Sequence, residues 1–528
     1  SGNLTITSGS LNTGGNDLTV AGITTIGDGT GGTPDEATLT CNASTCSFGS
    51  GATADYGLKV KANGTFAGGT GTHTAGGFYM DQNAHAKATV TSGVMTINSE
   101  KTSANKAWRV EYGGDTFDNN NGTVKFAFNG FDSRFSMRSE GHANNAFHNL
   151  IIHHLGDTRT VGIDNGSKLI VDNDLTITRG LLQMNTNHEL EVGGNVEIDD
   201  GSDVAELRMG NVSTASSHPA SFKSLTIGND GTYFATSGTT TITNKASSNF
   251  AFKNEGTFTH NSGTMQIGDG STSTGGAHLM NNTYHNLTIN RDENAPDGNT
   301  PWRPSSGTEV TIAGNLTVTK GRFYRNNSSD SLVVTGDVDI AANGQVGTEA
   351  ASGSNTFGSL TIASGGTYQA TSGTTTFTDE TSGGYALSAA DGTFTHNNGK
   401  VKVDYNTGNK NAHTILLNSG DYYDLEIDMN SVAYEVKLDA PSPSKINIRN
   451  NLTITTGWVE KSDASDTLDV FGLTNISANG KFMEDANENT NTITHHGLVT
   501  NLGTYKINDG TTVKMNGGIR NLGTITVA

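Results

Sequence analysis

The stretch that decides the fold is Asn451-Leu-Thr-Ile-Thr-Thr-Gly457, which is followed by Leu468-Asp-Val-Phe-Gly472 and then by Ile476. Versions of these segments recur in the same order three more times along the chain. The first segment places its leucine at Leu4, Leu175, Leu316 and Leu452, and the second segment at Leu18, Leu190, Leu332 and Leu468. Four ordered copies indicate that the architecture itself repeats.

The spacing of the copies divides the chain into modules. Each opening leucine is separated from the next by about 136–171 residues, a length at which self-similarity indicates a repeat architecture. The fourth copy is shorter than the others. We therefore expect four modules in one continuous rod, at residues 1–172, 173–313, 314–449 and 450–528.

The first module is longer than the next two by one block of sequence. Phe66 stands far before the Thr91 of a Thr-Ser-Gly turn, whereas a single short turn separates the equivalent residues Tyr233 and Thr236. The extra block falls near residues 67–90, and the pattern then continues in register. Insertion of one whole solenoid coil, here about 22 residues, has this effect, so we predict coils of about 20–29 residues as the structural unit.

Within each predicted coil, apolar and polar residues alternate, as in Leu175-Thr-Ile177-Thr. A period of two is typical of strands with one buried and one wet face. Turns rich in Gly, Asn and Asp separate these runs, and helical periodicity is missing. The sequence therefore predicts an all-β, parallel β-solenoid. A string of immunoglobulin-like sandwiches would explain the length of the modules, but not the insertion of a single coil.

Composition excludes several other classes. The 528 residues include 68 Gly but only 7 Pro, and the charged share is 16%, whereas disordered chains are usually rich in charge and Pro. The sequence has no Gly-X-Y period of collagen and no apolar run long enough for a transmembrane helix. The net charge of −20 argues against nucleic acid as a partner, because phosphate would be repelled.

The two cysteines, Cys41 and Cys46, lie close together in the sequence. Either a local disulfide or two free thiols in a turn fits this spacing, and neither amounts to a disulfide framework. The sequence begins at Ser1 without Met or a signal peptide. We therefore expect a processed product or a segment of a longer protein.

The recurring Asn-Leu-Thr-Ile-Thr-x-Gly, Leu-x-Val-x-Gly and Gly-Thr-Phe-Thr-His-Asn-x-Gly strings resemble those of repetitive β-solenoid proteins from bacterial surfaces and phage appendages. The resemblance covers nearly the whole chain, but it is one of repeat style. It implies a stalk, fibre or adhesin exposed outside the cell, on a virion or a bacterial surface. Some phage spikes of this shape cut polysaccharide, so the resemblance also leaves an enzymatic alternative open.

Carboxylates are the groups that polysaccharide cleavage would require. Asp199-Asp200 is the one Asp-Asp pair, but its equivalents in the other copies are ordinary turn residues. Asp421, Asp424, Glu426 and Asp428 alternate along one predicted strand and are expected to face solvent. No catalytic residue is therefore assigned from the sequence, although a groove built from distant coils stays open.

Histidines recur at equivalent module positions, which favours turn or stacking roles over metal binding. His260 and His396 both stand in Thr-His-Asn, and His495-His496 are neighbours whose side chains should point to opposite faces of a strand. Asp- and Gly-rich turns could supply oxygen ligands for calcium, but the nonapeptide of calcium-binding solenoids never appears in full. No cofactor is assigned, with calcium as the alternative.

Two polar patterns coincide with the repeat itself. Asn-x-Ser/Thr sequons begin at Asn3, Asn286, Asn315 and Asn451, and we interpret them as turn asparagines beside strand threonines. The Thr-x-Thr pairs recur once per module, at Thr5/Thr7, Thr176/Thr178, Thr317/Thr319 and Thr453/Thr455. An ice-binding face needs such pairs on successive coils, so outward-facing strand threonines are the interpretation.

Irregular sequence offers the best candidates for binding, because loops that leave a rigid scaffold usually carry function. The segment Arg291–Gly307 contains three of the seven prolines, together with Trp302 and Arg303, which could stack on a sugar. Alternatively, Trp302 covers a joint between modules. Trp458 occupies a position held by Ser10, Leu181 and Arg322 in the other copies, so we expect it to be exposed.

The leading functional hypothesis is a non-enzymatic, elongated stalk or fibre, with possible contacts to a surface glycan through Trp302, Arg303 and Trp458. The alternatives are a polysaccharide-degrading lyase or hydrolase and a secreted calcium-dependent adhesin. Open coil ends present unpaired strand edges, so we expect self-association or flanking domains. Phage and bacterial origins fit the sequence equally well.

Overall fold

A computed structural model gives the fold of the chain. The structure describes residues 2–30, 36–49, 56–81, 85–98, 107–110, 117–127, 133–137, 146–154, 160–163, 168–199, 204–211, 213–271, 278–280, 282–292, 299–302, 309–325, 328–347, 351–405, 412–417, 420–440, 445–461, 467–484, 492–508 and 510–527. The chain forms two compact units, Ser1–Met265 and Gln266–Ala528. The four predicted modules stay a prediction from the repeats.

Every regular element among the described residues is a β-strand, and the strands stack in parallel as a β-solenoid. The predicted fold class is therefore confirmed. The first unit contains Leu4–Ile6, Gly9–Asn12, Leu18–Val20, Thr24–Ile26, Ala37–Thr40, Cys46–Phe48, Leu58–Val60, Gly64–Ala67, His73–Ala75, Phe78–Met80, Lys87–Thr89, Val94–Ile97, Trp108–Val110, Phe117–Asp118, Thr123–Phe126, Ser133–Met137, Asn149–His153, Thr160–Ile163, Lys168–Val171, Leu175–Met184, Glu189–Val192, Asn195–Ile198, Ala205–Met209, Ala220–Phe222, Ser224–Ile227, Gly231–Phe234, Thr239–Ile242, Phe250–Asn254 and Thr257–Thr259.

The strand Thr264–Ile267 spans the boundary between the units. The second unit contains His278–Leu279, Asn286–Asn290, Asn299–Trp302, Glu309–Ile312, Leu316–Arg325, Ser331–Val346, Asn355–Ile362, Thr367–Gln369, Thr374–Phe377, Tyr385–Ala389, Thr393–Thr395, Lys400–Val403, Ala412–Leu417, Asp421–Tyr422, Asp424–Asp428, Glu435–Asp439, Lys445–Ile448, Leu452–Lys461, Thr467–Val470, Thr474–Glu484, Thr492–His495, Val499–Asn501, Thr504–Ile507, Thr512–Met515, Ile519–Asn521 and Thr524–Val527.

Each coil at the start of the first unit passes through three strands, which belong to three separate ladders. Leu4 pairs with Thr24 of the next coil, and Thr24 pairs in turn with Leu58 of the coil after that. The coil from Thr24 to Leu58 is longer than the predicted range of coil lengths. The ladder nevertheless keeps its register, with Thr25 opposite Lys59 and Ile26 opposite Val60.

The alternation of apolar and polar residues places the core inside the coils. Leu58 and Val60 have no exposed surface, and Lys59 between them points outward. Parallel pairing stacks Leu58 on Phe78 of the next coil, so each coil buries its apolar face against its neighbours.

The longer first module contains a coil that runs from Phe66 to Ala88. Phe66 pairs with Ala88, and Ala88 pairs in turn with Phe117. In the second module Tyr233 pairs directly with Phe258. Ala88 thus occupies an inner position between two phenylalanines, and it belongs to the coil that the second module does not have.

In the second unit, the equivalent segments that begin at Leu316 and Leu452 lie on different faces of the solenoid. From Leu316 the ladder runs through five successive coils to Leu438. Leu452 follows two strands later, on the ladder that pairs it with Leu425. The repeat from Leu316 to Leu452 is therefore five coils and two further strands, so it ends on another face.

A contact between adjacent coils explains why the Asn-Leu-Thr-Ile-Thr-x-Gly segment is followed by the Leu-x-Val-x-Gly segment. The side-chain oxygen of Asn315 accepts a hydrogen bond from the backbone N–H of Asp337 in the next coil, at 3.0 Å. A Cβ atom on Gly336 would lie 2.1 Å from that oxygen. The same contact, which we call the Asn–Gly contact, joins Asn3 to Ile23 and Gly22, Asp174 to Asn195 and Gly194, and Asn451 to Leu473 and Gly472.

Candidate functional site

The loop that the sequence favoured for binding lies mostly outside the described residues. Trp302 ends the strand Asn299–Trp302, and its backbone pairs with Arg325. The side chain of Trp302 and the whole of Arg303 lie outside the described part of the chain. The proposed stacking of a sugar on these two residues therefore stays a prediction.

Trp458 lies on the outer face of the strand Leu452–Lys461, between Glu435 and Lys481 of the adjacent coils. The residue is half-buried, so the predicted exposure of Trp458 is wrong, and the Lys481 Nζ lies 5.3 Å from the centroid of the indole ring. This is the geometry of a cation–π contact. The indole Nε1 is buried and has no hydrogen-bond partner among the described residues.

Cys41 and Cys46 form a disulfide, and both residues are fully buried. His73 of the next coil lies beside them, because the strand His73–Ala75 pairs with Cys46–Phe48. The His73 Nε2 lies 2.7 Å from the carbonyl oxygen of Gly68, and the Nδ1 lies 3.3 Å from the backbone nitrogen of Cys46. Burial lowers the pKa of His73, so the imidazole is neutral near pH 7.

The recurring histidines serve turns and core contacts. The Nδ1 of His260 and that of His396 each accept a hydrogen bond from the backbone N–H two residues later, at 3.0 Å. His495 is buried and contacts the hydroxyls of Tyr505 and Thr474 at 2.9 and 2.8 Å. His496 is exposed, so the two neighbours do point to opposite sides.

The predicted acidic strand is two strands in the structure, because Asp421 lies on Asp421–Tyr422 and the other three carboxylates lie on Asp424–Asp428. Arg449 of the next coil pairs with Asp421 at 3.0 Å, and lysines of the preceding coil pair with Glu426 and Asp428. Lys400 Nζ lies 2.6 Å from Glu426, and Lys402 Nζ lies 3.1 Å from Asp428 and 2.7 Å from Asp404. The carboxylates raise the pKa of Lys402 although its partial burial opposes this. This arrangement stabilises charged partners, whereas general acid catalysis needs a carboxyl that keeps its proton. Asp200 lies outside the described residues.

One buried cluster contains groups of the kind that enzymes use. The Nδ1 of His413 lies 2.5 Å from a carboxylate oxygen of Glu380, and Tyr405 stacks on the imidazole with ring centroids 3.7 Å apart. Burial raises the pKa of the Tyr405 hydroxyl. His413 has no exposed surface and Tyr405 has 2%, so a polymer of sugars has no access to these groups.

Among the described residues of the second unit, a group of exposed apolar side chains lies at one corner of two successive coils. Phe471, Leu473 and Leu498 are 40%, 47% and 40% exposed, and His496 lies among them. We call these four residues the apolar corner. Large exposed apolar side chains that cluster in this way mark contact sites more often than isolated ones do.

Stacked rings fix the shape of the apolar corner. The rings of Phe471 and His496 are parallel within 1°, with centroids 4.7 Å apart, and the guanidinium of Arg449 lies 5.9 Å from the phenyl centroid. His496 also lies 3.5 Å from Asp469, whose other oxygen pairs with Lys445. The corner therefore presents ring edges and leucine methyl groups, with charges at its border.

The sequence contains a signal for the apolar corner, but it lies outside the alternating pattern. Phe471 fills the fourth position of Leu-x-Val-x-Gly, where the other copies carry Ala21, Gly193 and Thr335. The same comparison between copies singled out Trp458. Applied to every outward position, it would also have identified Phe471.

Among the residues that the structure describes, no helix has the length and apolar character needed to cross a membrane. Comparison with known proteins identifies no relative: no protein-family model, no curated protein and no solved structure matches this chain.

Proposed function

We propose that the chain is a non-enzymatic structural stalk or fibre on a virion or a bacterial cell surface, with adhesive contacts through its outer side chains. The observation that carries the proposal is the parallel stacking of coils, in which the apolar face of each described coil packs against the next coil. The inner ladders are apolar, and the outer strands carry Thr, Lys, Asp and Glu, as an extended soluble support requires.

The proposal includes contacts with other copies of the chain or with other subunits through the apolar corner, because large exposed apolar side chains that cluster mark contact sites.

Adhesion is assigned to the apolar corner and to the surface around Trp458. Aromatic rings bordered by hydrogen-bonding and charged groups suit the alternating apolar and polar faces of sugars. The partner class that we propose is therefore a surface glycan. Trp458→Ala should weaken glycan binding by about tenfold, or about 1.4 kcal/mol, in a glycan-array or calorimetric titration, and Lys125→Ala on the first unit serves as the control.

Immunogold electron microscopy of the source material, with an antibody against this chain, tests the location and the stalk role. Label on tails or capsids, or along cell surfaces and filaments, supports the proposal. Label confined to the cell interior contradicts it. Release of oligosaccharides from purified surface polysaccharide would contradict the non-enzymatic role and favour a lyase or hydrolase, and a melting temperature lowered by a chelator would favour the calcium-dependent adhesin.

A further inference from the structure

We propose that Cys41, Cys46 and His73 form a zinc site when the two cysteines are reduced, so that this buried corner of the first unit exists either as a disulfide or as a Zn²⁺ complex. The two sulfur atoms and one nitrogen of His73 all lie within 4.8 Å of one another. The inference is independent of the proposed stalk function.

The fold brings the three ligands together from two coils. Cys41 and Cys46 flank a short turn, and parallel pairing places His73 opposite Cys46 on the adjacent strand. Ligand atoms on one tetrahedral zinc lie roughly 3.5–4 Å apart, given bond lengths of about 2.3 Å to sulfur and 2.0 Å to nitrogen. Zinc binding therefore requires the two sulfur atoms to move apart once their bond is broken, and His73, whose ligand nitrogen lies within 4.8 Å of both, to approach by about 1 Å.

The hydrogen bonds of His73 place a lone pair on its Nδ1, which is the nitrogen that would bind the metal. The Nε2–H donates to the carbonyl of Gly68 at 2.7 Å, so the Nδ1 carries the lone pair. Zinc-binding histidines usually donate their other N–H to a carbonyl or carboxylate in this way. The Nδ1 now accepts only a long hydrogen bond of 3.3 Å from the backbone of Cys46, which the metal would replace.

The charge balance of the buried site favours a divalent ion. Two thiolates and one neutral imidazole cancel the charge of Zn²⁺, whereas a monovalent ion would leave a net negative charge away from water. Phe48 and Phe66 pack their rings against His73, with centroids 6.5 and 6.2 Å away. Three protein ligands leave the fourth tetrahedral position for water, as in zinc sites with two cysteines and one histidine.

The turn over the cysteines provides an entry path. Ala43 and Thr45 are exposed, and the turn rests on Gly69 and Gly71 of the next coil. A Cβ on Gly71 would contact the backbone oxygen of Ser44 closely, so the fit depends on glycine. Opening of this turn, which would break the hydrogen bonds that the N–H groups of Thr70 and Gly71 donate to the carbonyl of Asn42, would admit an ion.

A phosphine can reduce the Cys41–Cys46 disulfide to the two thiols. The phosphine attacks one sulfur, the S–S bond breaks, and water supplies the oxygen of the phosphine oxide and the two protons that convert both sulfurs to thiols. Zinc then binds as the two thiols release two protons. Oxidation back to the protein disulfide by exchange with a small-molecule disulfide, which is itself reduced to two thiols, would expel the ion, because the sulfurs then no longer carry thiolate charge.

The test uses the full-length chain, reduced anaerobically with a phosphine, freed of excess reductant and checked for two alkylatable thiols by mass. Titration with Co²⁺ should show one equivalent bound, intense tetrahedral absorption and a thiolate-to-cobalt charge-transfer band, and Zn²⁺ should displace the cobalt. Cys41→Ser with Cys46→Ser should abolish the band. His73→Gln should weaken Co²⁺ binding at least about tenfold, whereas His260→Gln, on a surface turn of the same unit, should not.

X-ray absorption on zinc-loaded wild-type protein gives a readout that does not depend on folding of the variants. Two sulfur neighbours and one imidazole nitrogen support the site. Sulfur neighbours without imidazole overturn it, and so does reduced protein that binds Co²⁺ no more tightly than the disulfide form. Equal affinity of the His73→Gln and wild-type chains, both folded by circular dichroism, would overturn it as well.

Discussion

The third and fourth copies of the Leu-x-Val-x-Gly segment, both in the second unit, have similar buried residues but different outward-facing residues. Leu332 and Val334 in one copy, and Leu468 and Val470 in the other, are all buried. Thr335 and Asp337 face outward in the third copy, at the positions of the exposed Phe471 and Leu473 in the fourth. Inner residues and the Asn–Gly contact preserve the coil, so outer residues are free to become contact surfaces.

The largest expected loss of stability comes from disrupting the Asn–Gly contact, which the two copies share. Gly336→Ala places a Cβ 2.1 Å from the side-chain oxygen of Asn315 and 2.8 Å from the backbone oxygen of Gly314. We expect a loss of about 3 kcal/mol in the free energy of unfolding, measured by urea denaturation, because neither the backbone nor the packed corner can yield easily.

Gly2→Ala is the matched control for that variant, since its Cβ would meet no atom within 4 Å. Adding Asn315→Ala to Gly336→Ala should recover part of the loss, because one of the two close contacts disappears. A double variant no more stable than Gly336→Ala would show that the side-chain oxygen is not the obstacle.

The second effect concerns a core position where the copies differ. His495 in the fourth copy occupies the inner position of Phe357 in the third. Burial, with a smaller contribution from His496, lowers the pKa of His495 to about 4. The unfolded chain therefore binds more protons below about pH 6.5, and about 2 kcal/mol of stability is lost between pH 7 and pH 5.

Urea denaturation of wild-type and His495→Phe chains at both pH values measures this loss. The substitution removes the hydrogen bonds to Tyr505 and Thr474, so its absolute stability falls. The difference between the two pH values should nevertheless shrink by about 2 kcal/mol. An unchanged difference would assign the acid sensitivity to other groups.

Replacing the outer residues of the fourth copy with those of the third should have the smallest effect on the free energy of unfolding. The same change should have a clear effect on binding. Phe471→Thr with Leu473→Asp gives the fourth copy the outer surface of the third. Exposed substitutions should change the free energy of unfolding by less than about 0.5 kcal/mol. Self-association or glycan binding should fall by about tenfold, as measured by light scattering and titration.

The reciprocal change, Thr335→Phe with Asp337→Leu, tests whether the apolar residues alone are sufficient. We expect no gain in binding, because Gly358 stands in the third copy at the position of His496 and offers no ring for stacking. A gain equal to the loss in the first variant would show that exposure alone creates the contact surface.

The sequence predicted the fold because its information is local and repeated. Alternation in Leu175-Thr-Ile177 indicates which side chains point inward. The insertion near residues 67–90 indicates the length of one coil, whereas the coil from Thr24 to Leu58 is longer. The sequence singled out Cys41 and Cys46, but it predicted neither the approach of His73 to them nor the apolar corner. His73 reaches Cys46 only through the register of two adjacent coils, and Phe471 lies at a corner, where alternation no longer distinguishes inside from outside.

The step of five coils and two further strands between Leu316 and Leu452 has an evolutionary consequence. A duplicated stretch that is not a whole number of coils still folds, because any of the three faces can accept the same segment. Duplication in such a gene therefore need not respect coil boundaries. Each new copy also turns its outer side chains in a new direction, and three successive steps of this kind would bring the segment back to its first face.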